Sequence, residues 1–445
     1  MISVVLFYLT FIVTGIMSFR GGAIYLFVMY QGYYFFNPNT KWWGASIPDL
    51  RFSFYIVLTM LIVVAFNWRN YSSNKILKIP QFTYMFICVF LYALASFYAT
   101  WPSNHALAFD ALLTVAIVII VVYKFIQTEK HLDIAIGAYM IFSGYLGYYI
   151  TQFGRMASGR FTGGGMVDAP DANGLSAAIA PSLLFCLYYF WMHPNWKIKG
   201  ACVVLGALIT NGIVLAGSRG AFLGVAAGAG IFVMYMFRSK IKSKYQKRSA
   251  SFVVVMGLVG LILVTDAYFW QRIASIKTQS VQESAEKETG KTRVFFWLAA
   301  MDMAKDYPFG AGAGGFVAHS PQYIPETIHT GSTRNRAVHS TWFEVLTEIG
   351  YPGVIAFSGM IAYSLITLRR AQRKMAKIGD HRRYFKVIAV LSAFVCFCVI
   401  MTFINRFRGE ILYWLILFSA AIYNLYVLKI DSWYQPNDDG LKKAK

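Results

Sequence analysis

Runs of about 20 predominantly apolar residues, the length that crosses a bilayer as one helix, recur along almost the whole chain. They fall near residues 52–66, 82–99, 106–123, 131–152, 173–192, 199–216, 219–237, 251–268, 341–368, 387–405 and 409–429. In lipid every backbone polar group must be bonded internally, so such runs fold as helices. The expected fold is an all-α polytopic membrane protein with about 12 transmembrane helices, a single transmembrane domain over residues 1–445. The first 36 residues supply either one irregular crossing or a tight pair broken at Arg20-Gly21-Gly22. The total is then 12 or 13, and 12, with the N-terminus inside, is favoured. This stretch has no basic n-region and no small-residue cleavage site, so it reads as a retained helix. Composition agrees, with 57% hydrophobic and 14% charged residues against roughly 25% charged in soluble domains.

A net charge of +21 would suggest a nucleic-acid partner in a soluble protein. In a membrane protein it reports orientation, because cytoplasmic loops retain Lys and Arg. Loops 67–80, 124–131, 193–200, 238–250 and 369–386 hold 21 Lys and Arg, opposed by Glu129 and Asp380. They are predicted to be cytoplasmic, with the C-terminal LKKAK. The alternating loops 37–51, 100–105, 153–172, 269–340 and 406–408 then face outward. No nucleic acid is expected. The five cysteines lie in apolar runs without metal spacing, which favours simple burial.

Loop 269–340 is too long for a connector, and such loops tend to be functional. Residues 292–306 have helical spacing and predict a surface helix with Phe295, Trp297, Leu298 and Met301 on its apolar face. Pro308 and the GAGAGG of 310–315 end it. No Walker lysine follows those glycines, so they read as a flexible loop rather than a nucleotide site.

The spans hold few charges. Asp110, Asp133 and Asp266 lie near predicted ends, where interfacial placement is the simple reading. A transporter or flippase should carry ionisable groups near the midplane; here the unusual residues gather on the outward side. In 159–174, Pro170 and Asp171 resemble a helix start with Asp171 as N-cap, and Arg160 is a candidate cation. Ser218-Arg219-Gly220 forms a tight turn between two spans. Ser218 can cap the next helix, and Arg219 beside that helix N-terminus either cradles phosphate or snorkels to headgroups. Arg293, with Lys291 nearby, opens the surface helix. His339 precedes a span containing Glu344 and Glu348 and is either a general base or an interfacial histidine. HExxH, C-x-x-C and Asp-x-Asp are absent from the sequence, so no metal, nucleotide or other cofactor is expected.

These residues resemble the bacterial O-antigen ligase and O-antigen polymerase superfamily. The resemblance rests on SRG at 218–220, Arg293 before an aromatic-rich helix, PFGAGAGGF at 308–316 and HSTWFEVLTEIGYPGV at 339–354. The last looks like the family box H-[NS]-x-x-x-[EQ]-x-x-x-E-x-G-x-x-G. NPNTKWWG at 37–44 and DAPDANGLS at 168–176 add to it, so the likeness runs from about residue 20 to 430. It implies a glycosyltransferase of the inner membrane with a periplasmic site. The donor would be a polysaccharide on undecaprenyl diphosphate. In a ligase, which the chain resembles most, the acceptor is lipid A–core. In a polymerase it is a growing glycan, and in a protein O-glycan transferase a serine. Arg219 and Arg293 would bind the donor diphosphate and His339 would activate the acceptor hydroxyl, with Arg160 a third cation. Arg406 and Arg408 meet either substrate phosphates or lipid headgroups.

Overall fold

The computed structural model describes residues 2–156, 159–161, 165–166, 168–169, 171–239, 241, 243–278, 292–328, 330 and 333–432. Pro170, Lys291 and the LKKAK tail lie outside them. The chain is all-helical. Helices α1 (Ile2–Arg20) and α2 (Ile24–Phe36) form an antiparallel pair. Gly15 lies beside Met29 and Gly32 beside Thr10, and Tyr8 donates to the Ser46 carbonyl at 3.3 Å. The start of α1 therefore sits at loop 37–51. This corrects the favoured single crossing with the N-terminus on the opposite face. Gly22, at φ +102°, takes a backbone conformation open mainly to glycine and lets the chain reverse.

The chain continues through α3 (Phe52–Phe66), which bends by 93° into the segment that contains α4 (Trp68–Tyr71). Next come α5 (Pro80–Ala95), α6 (Pro102–Phe125) and α7 (Glu129–Phe153). Helices α8 (Ala172–Ile179) and α9 (Ser182–Met192) share one crossing, followed by α10 (Trp196–Ala216), α11 (Arg219–Arg238) and α12 (Gln246–Val264). The long loop holds α13 (Ala267–Thr278), α14 (Thr292–Asp306) and α15 (Gly315–Tyr323). The last crossings are α16 (Thr341–Ile378), α17 (His381–Met401) and α18 (Glu410–Tyr423). Among the described residues ten stretches are long and apolar enough to cross a membrane, eleven with the bent pair.

Burial orders these helices radially. The crossings begun by α17 and α18 are 83% and 89% buried and form the centre, whereas α1 and α12 are 17% and 11% buried and face lipid. Without a hydrophobic drive between helices in lipid, close packing holds them together, and small residues permit it. Gly224 and Gly228 put α11 against α17 so closely that an added Cβ would lie 2.6 Å from the Cys396 carbonyl oxygen and 2.7 Å from that of Ser392. Contacts between connecting segments fall into the two sets that the charge pattern defines. Lys124 donates to the Asn74 carbonyl, Arg383 to Glu129, and His381 bonds Gln246 on one face. Asn37 donates to Gly165, Thr100 to Ala311, and Arg155 pairs with Asp266 on the other.

Helices α14 and α15 are folded onto the second face with a small core of their own, formed around Phe296, Met303, Phe316, Ile324 and Val338. The buried side of α14 is Thr292, Phe296, Ala299, Ala300, Met303 and Ala304. Leu298 and Met301, placed on the apolar face by their spacing, are exposed. The alanines allow α14 to approach α16, and the bulky residues are left outside. The GAGAGG stretch is likewise a packed buckle, and not the flexible loop its composition suggested. Helix α16 is broken at Ile349 and Gly350, the latter at φ +66°. The break would leave carbonyls without partners, at a cost of several kcal/mol each where water is absent. The buckle supplies the donors: Ala311 N–H bonds Thr347 O at 2.8 Å and Gly312 N–H bonds Glu348 O at 3.0 Å.

Candidate active site

The turn 402–409, between α17 and α18, is the meeting point of segments that are distant in sequence. The start of α16 holds it from one side. Thr341 donates its hydroxyl to Ile404 O at 2.7 Å and accepts from Arg406 N–H at 2.9 Å. Ser340 N–H donates to Asn405 Oδ1 at 3.0 Å. Glu344 and Glu348, one turn apart on one helix face, grip the guanidinium of Arg408, and Tyr92 donates to Glu348 at 2.8 Å. Glu344 also accepts from Phe407 N–H at 3.0 Å. These two carboxylates are structural members of the turn, and Arg408 is the cation they neutralise.

The other site residues reach the same turn by separate routes. Helix α10 ends at Gly217 in a left-handed C-cap, and Ser218 caps α11 through Ala221 N–H at 3.4 Å. Arg219 opens α11 and is half-buried, and the next residue, Gly220, packs on Phe403. The small-residue stripe that docks α11 on α17 thus also sets the height of Arg219. Arg293, on the first turn of α14, donates to Phe403 O at 2.9 Å. Trp297 on the same helix packs on Phe343 and Phe403 and donates to Val338 O at 3.2 Å, which anchors the strand of chain entering His339. His339 has φ +51°, a left-handed conformation that costs a bulky residue on the order of 1–3 kcal/mol and persists only where its surroundings impose it. Its ring lies 6.4 Å from that of Phe296.

Arg160 donates to Ala216 O at 2.9 Å and to Asn173 Oδ1 at 2.7 Å, which ties loop 153–172 to the turn before Arg219. Arg406 lies over Gly174, 3.7 Å from Asp171. Asp171 caps α8 through Gly174 N–H at 2.8 Å, as its spacing predicts. Asp168 braces the same corner by accepting from Tyr34 at 2.6 Å and from Glu410 N–H at 2.8 Å. Arg293 and Arg406 therefore meet or belong to turn 402–409, the neighbours of Arg219 and His339 contact it, and Arg160 joins through Asn173 and Ala216, so the segments carrying all five residues border one rim. The ends of α11 and α14 bring helix N-terminal N–H groups and their positive potential to it.

Sequence reasoning missed two participants and one buried cation. Asn405 and the Phe403 carbonyl carry no pattern of their own. Lys41 stands in the NPNTKWWG stretch and is buried at the same face, with Nζ 4.6 Å from the Tyr149 ring centroid. Burial pushes its pKa down to about 7. Among the described residues there is no cluster of three or more His, Cys, Asp or Glu side chains able to hold a metal.

Residues 203–358 match the family model described as O-antigen ligase. That interval contains Arg219, Arg293 and His339 and ends beyond the break in α16. That match covers 156 of the 445 residues and supports the O-antigen ligase and polymerase superfamily. No curated protein matches the chain. Arg160, Arg406 and Arg408 lie outside the matched interval, so the contacts above are what connect them to the family's segment.

Proposed function

We propose that the chain is an O-antigen ligase of the bacterial inner membrane. It moves a polysaccharide from undecaprenyl diphosphate to a sugar hydroxyl of lipid A–core on the periplasmic face. The observation that supports this reading is that the segments carrying four arginines and His339 meet at turn 402–409. Guanidinium groups offer a planar fork to phosphate oxygens. Arg219 and Arg293 hold the donor diphosphate, with Arg160 and Arg406 beside them. His339 takes the proton from the acceptor hydroxyl as its oxygen attacks the anomeric carbon. The bond from that carbon to the diphosphate oxygen breaks, and the lipid diphosphate leaves with the electron pair. The arginines stabilise its developing charge, the work that a divalent cation does in other transferases. Glu344 and Glu348 are committed to Arg408, which favours direct displacement with inversion over a carboxylate nucleophile.

A polymerase or a protein O-oligosaccharyltransferase would use the same rim and differ in the acceptor. The test is reconstitution of the purified chain with lipid-linked glycan and EDTA, without nucleotide, offered lipid A–core, free glycan or a serine-containing protein. A shifted lipid A–core band is expected. Product on glycan or protein alone reassigns the acceptor. Translocation of the donor with no covalent product would replace the transferase with a flippase.

A further inference from the structure

A cavity lies at the other end of the bundle from the rim. Helix α7 runs from Phe153, beside loop 153–172, to Glu129, a distance of about 36 Å at 1.5 Å per residue. Near its middle α7 touches α10 closely: a Cβ on Gly147 would lie 2.4 Å from Leu208 O, and one on Gly144 would lie 2.3 Å from the Leu205 side chain. Below that crossing the helices diverge. A Cβ on Gly137 would meet nothing within 4 Å, and a cavity of about 760 Å³ opens between α7, α9, α10 and the start of α17. That volume lies within the roughly 300–1,000 Å³ of ligand pockets.

Its walls are mostly apolar, and Ile141 among them, in the middle of a membrane-spanning helix, is 58% exposed. Its far end is charged. Glu129, Asp133 and Asp380 line it, but each has a partner. Buried Lys386 bonds Glu129 and lies 2.7 Å from Asp133, Arg383 bonds Glu129 and Asp380 at 2.7 Å each, and Tyr189 donates to Asp133 at 2.5 Å. Lys130 and Arg382 also line this end, so four cations stand there against three carboxylates. An apolar trough open to lipid with a net cationic head end matches one ligand class, since basic pockets between membrane helices take anionic headgroups.

We propose that this cavity binds one anionic phospholipid of the adjoining leaflet, with an acyl chain between α7 and α10 and its phosphate at Lys130 and Arg382. The site is independent of the transfer reaction. The experiment is native mass spectrometry of the purified full chain in detergent, with phosphatidylglycerol or phosphatidylcholine added. Wild type should retain one phosphatidylglycerol at least ~10-fold more tightly than phosphatidylcholine. Gly137→Phe, which fills the trough, should lose the bound lipid while keeping its melting temperature, and Ala201→Leu on the facing wall repeats the test if Gly137→Phe fails to fold. Lys130→Gln with Arg382→Gln should abolish the preference between headgroups. Equal retention of both lipids by wild type, or retention of phosphatidylglycerol unchanged by filling the trough, overturns the proposal.

Discussion

His339 combines a left-handed backbone with a ring at the rim, and the two roles can be separated. Asn tolerates positive φ better than most residues but cannot serve as a neutral-pH base. His339→Asn should therefore fold and insert normally, yet lose transfer by on the order of 10²–10⁴-fold, as should His339→Ala. Near-wild-type turnover by His339→Asn would reduce the imidazole to a loop former. Arg219→Lys keeps the charge and removes the fork, and should lower kcat/KM for the lipid-linked donor by at least ~10-fold. Lys41 makes a prediction about stability. Its folded pKa of about 7 lies below its usual 10.5, so the folded state binds fewer protons between those values. Its contribution to stability is then least favourable below about pH 7 and improves as pH rises toward 10.5. Lys41→Met should raise the melting temperature at pH 7, and the gain should shrink by pH 10; a constant gain across that range would refute the assignment. Arg219 and His339 stand out in the sequence beside apolar runs, and the family likeness adds Arg293; what the structure contributes is that Gly220, Arg293 and Ser340 all contact turn 402–409. Asn405 does not stand out, since an Asn in a short turn has many ordinary uses.

At the scale of elements, the break in α16 and the buckle of 308–315 form one unit. Gly350 has a positive φ, and a Cβ there would lie 2.1 Å from Pro308 O. Gly350→Ala should cost stability by more than the ~1 kcal/mol of an ordinary helical exchange and should lower transfer, because the buckle and the Glu344–Glu348 face shift together. An unchanged melting temperature would show that the buckle does not depend on the break. Arg408→Ala leaves two carboxylates buried without their cation and should cost about 3–5 kcal/mol. Adding Glu344→Gln and Glu348→Gln should recover part of that loss in thermal unfolding. The break itself was hidden in the sequence because the apolar pattern runs through it, and Gly-Tyr-Pro-Gly is tolerated in a membrane helix. The face of α14 was misread for a related reason: bulk and burial separate when alanines make the contact. The GxxxG spacing of Gly220, Gly224 and Gly228 was visible, and it is the signal that would have placed α11 on α17.

At the scale of the molecule, the alternation of basic and non-basic loops anticipated how the connecting segments sort into two faces. Charge patterning outlives local detail because it is summed over many residues. The pairing of α1 with α2 was harder to read, since a short apolar stretch and a Gly-Gly fit either a kink or a reversal. The central claim is that Arg219 and Arg293, 74 positions apart, act on one anion at the rim of turn 402–409. The most direct test is a double-mutant cycle on the Kd for undecaprenyl diphosphate, with Arg219→Lys, Arg293→Lys and the double variant. Each single change should weaken binding by at least ~10-fold, and the pair should depart from additivity by about 0.5–3 kcal/mol, as groups sharing a partner do. Strictly additive losses, or a Kd that neither substitution moves, would mean that the two guanidinium groups serve separate places.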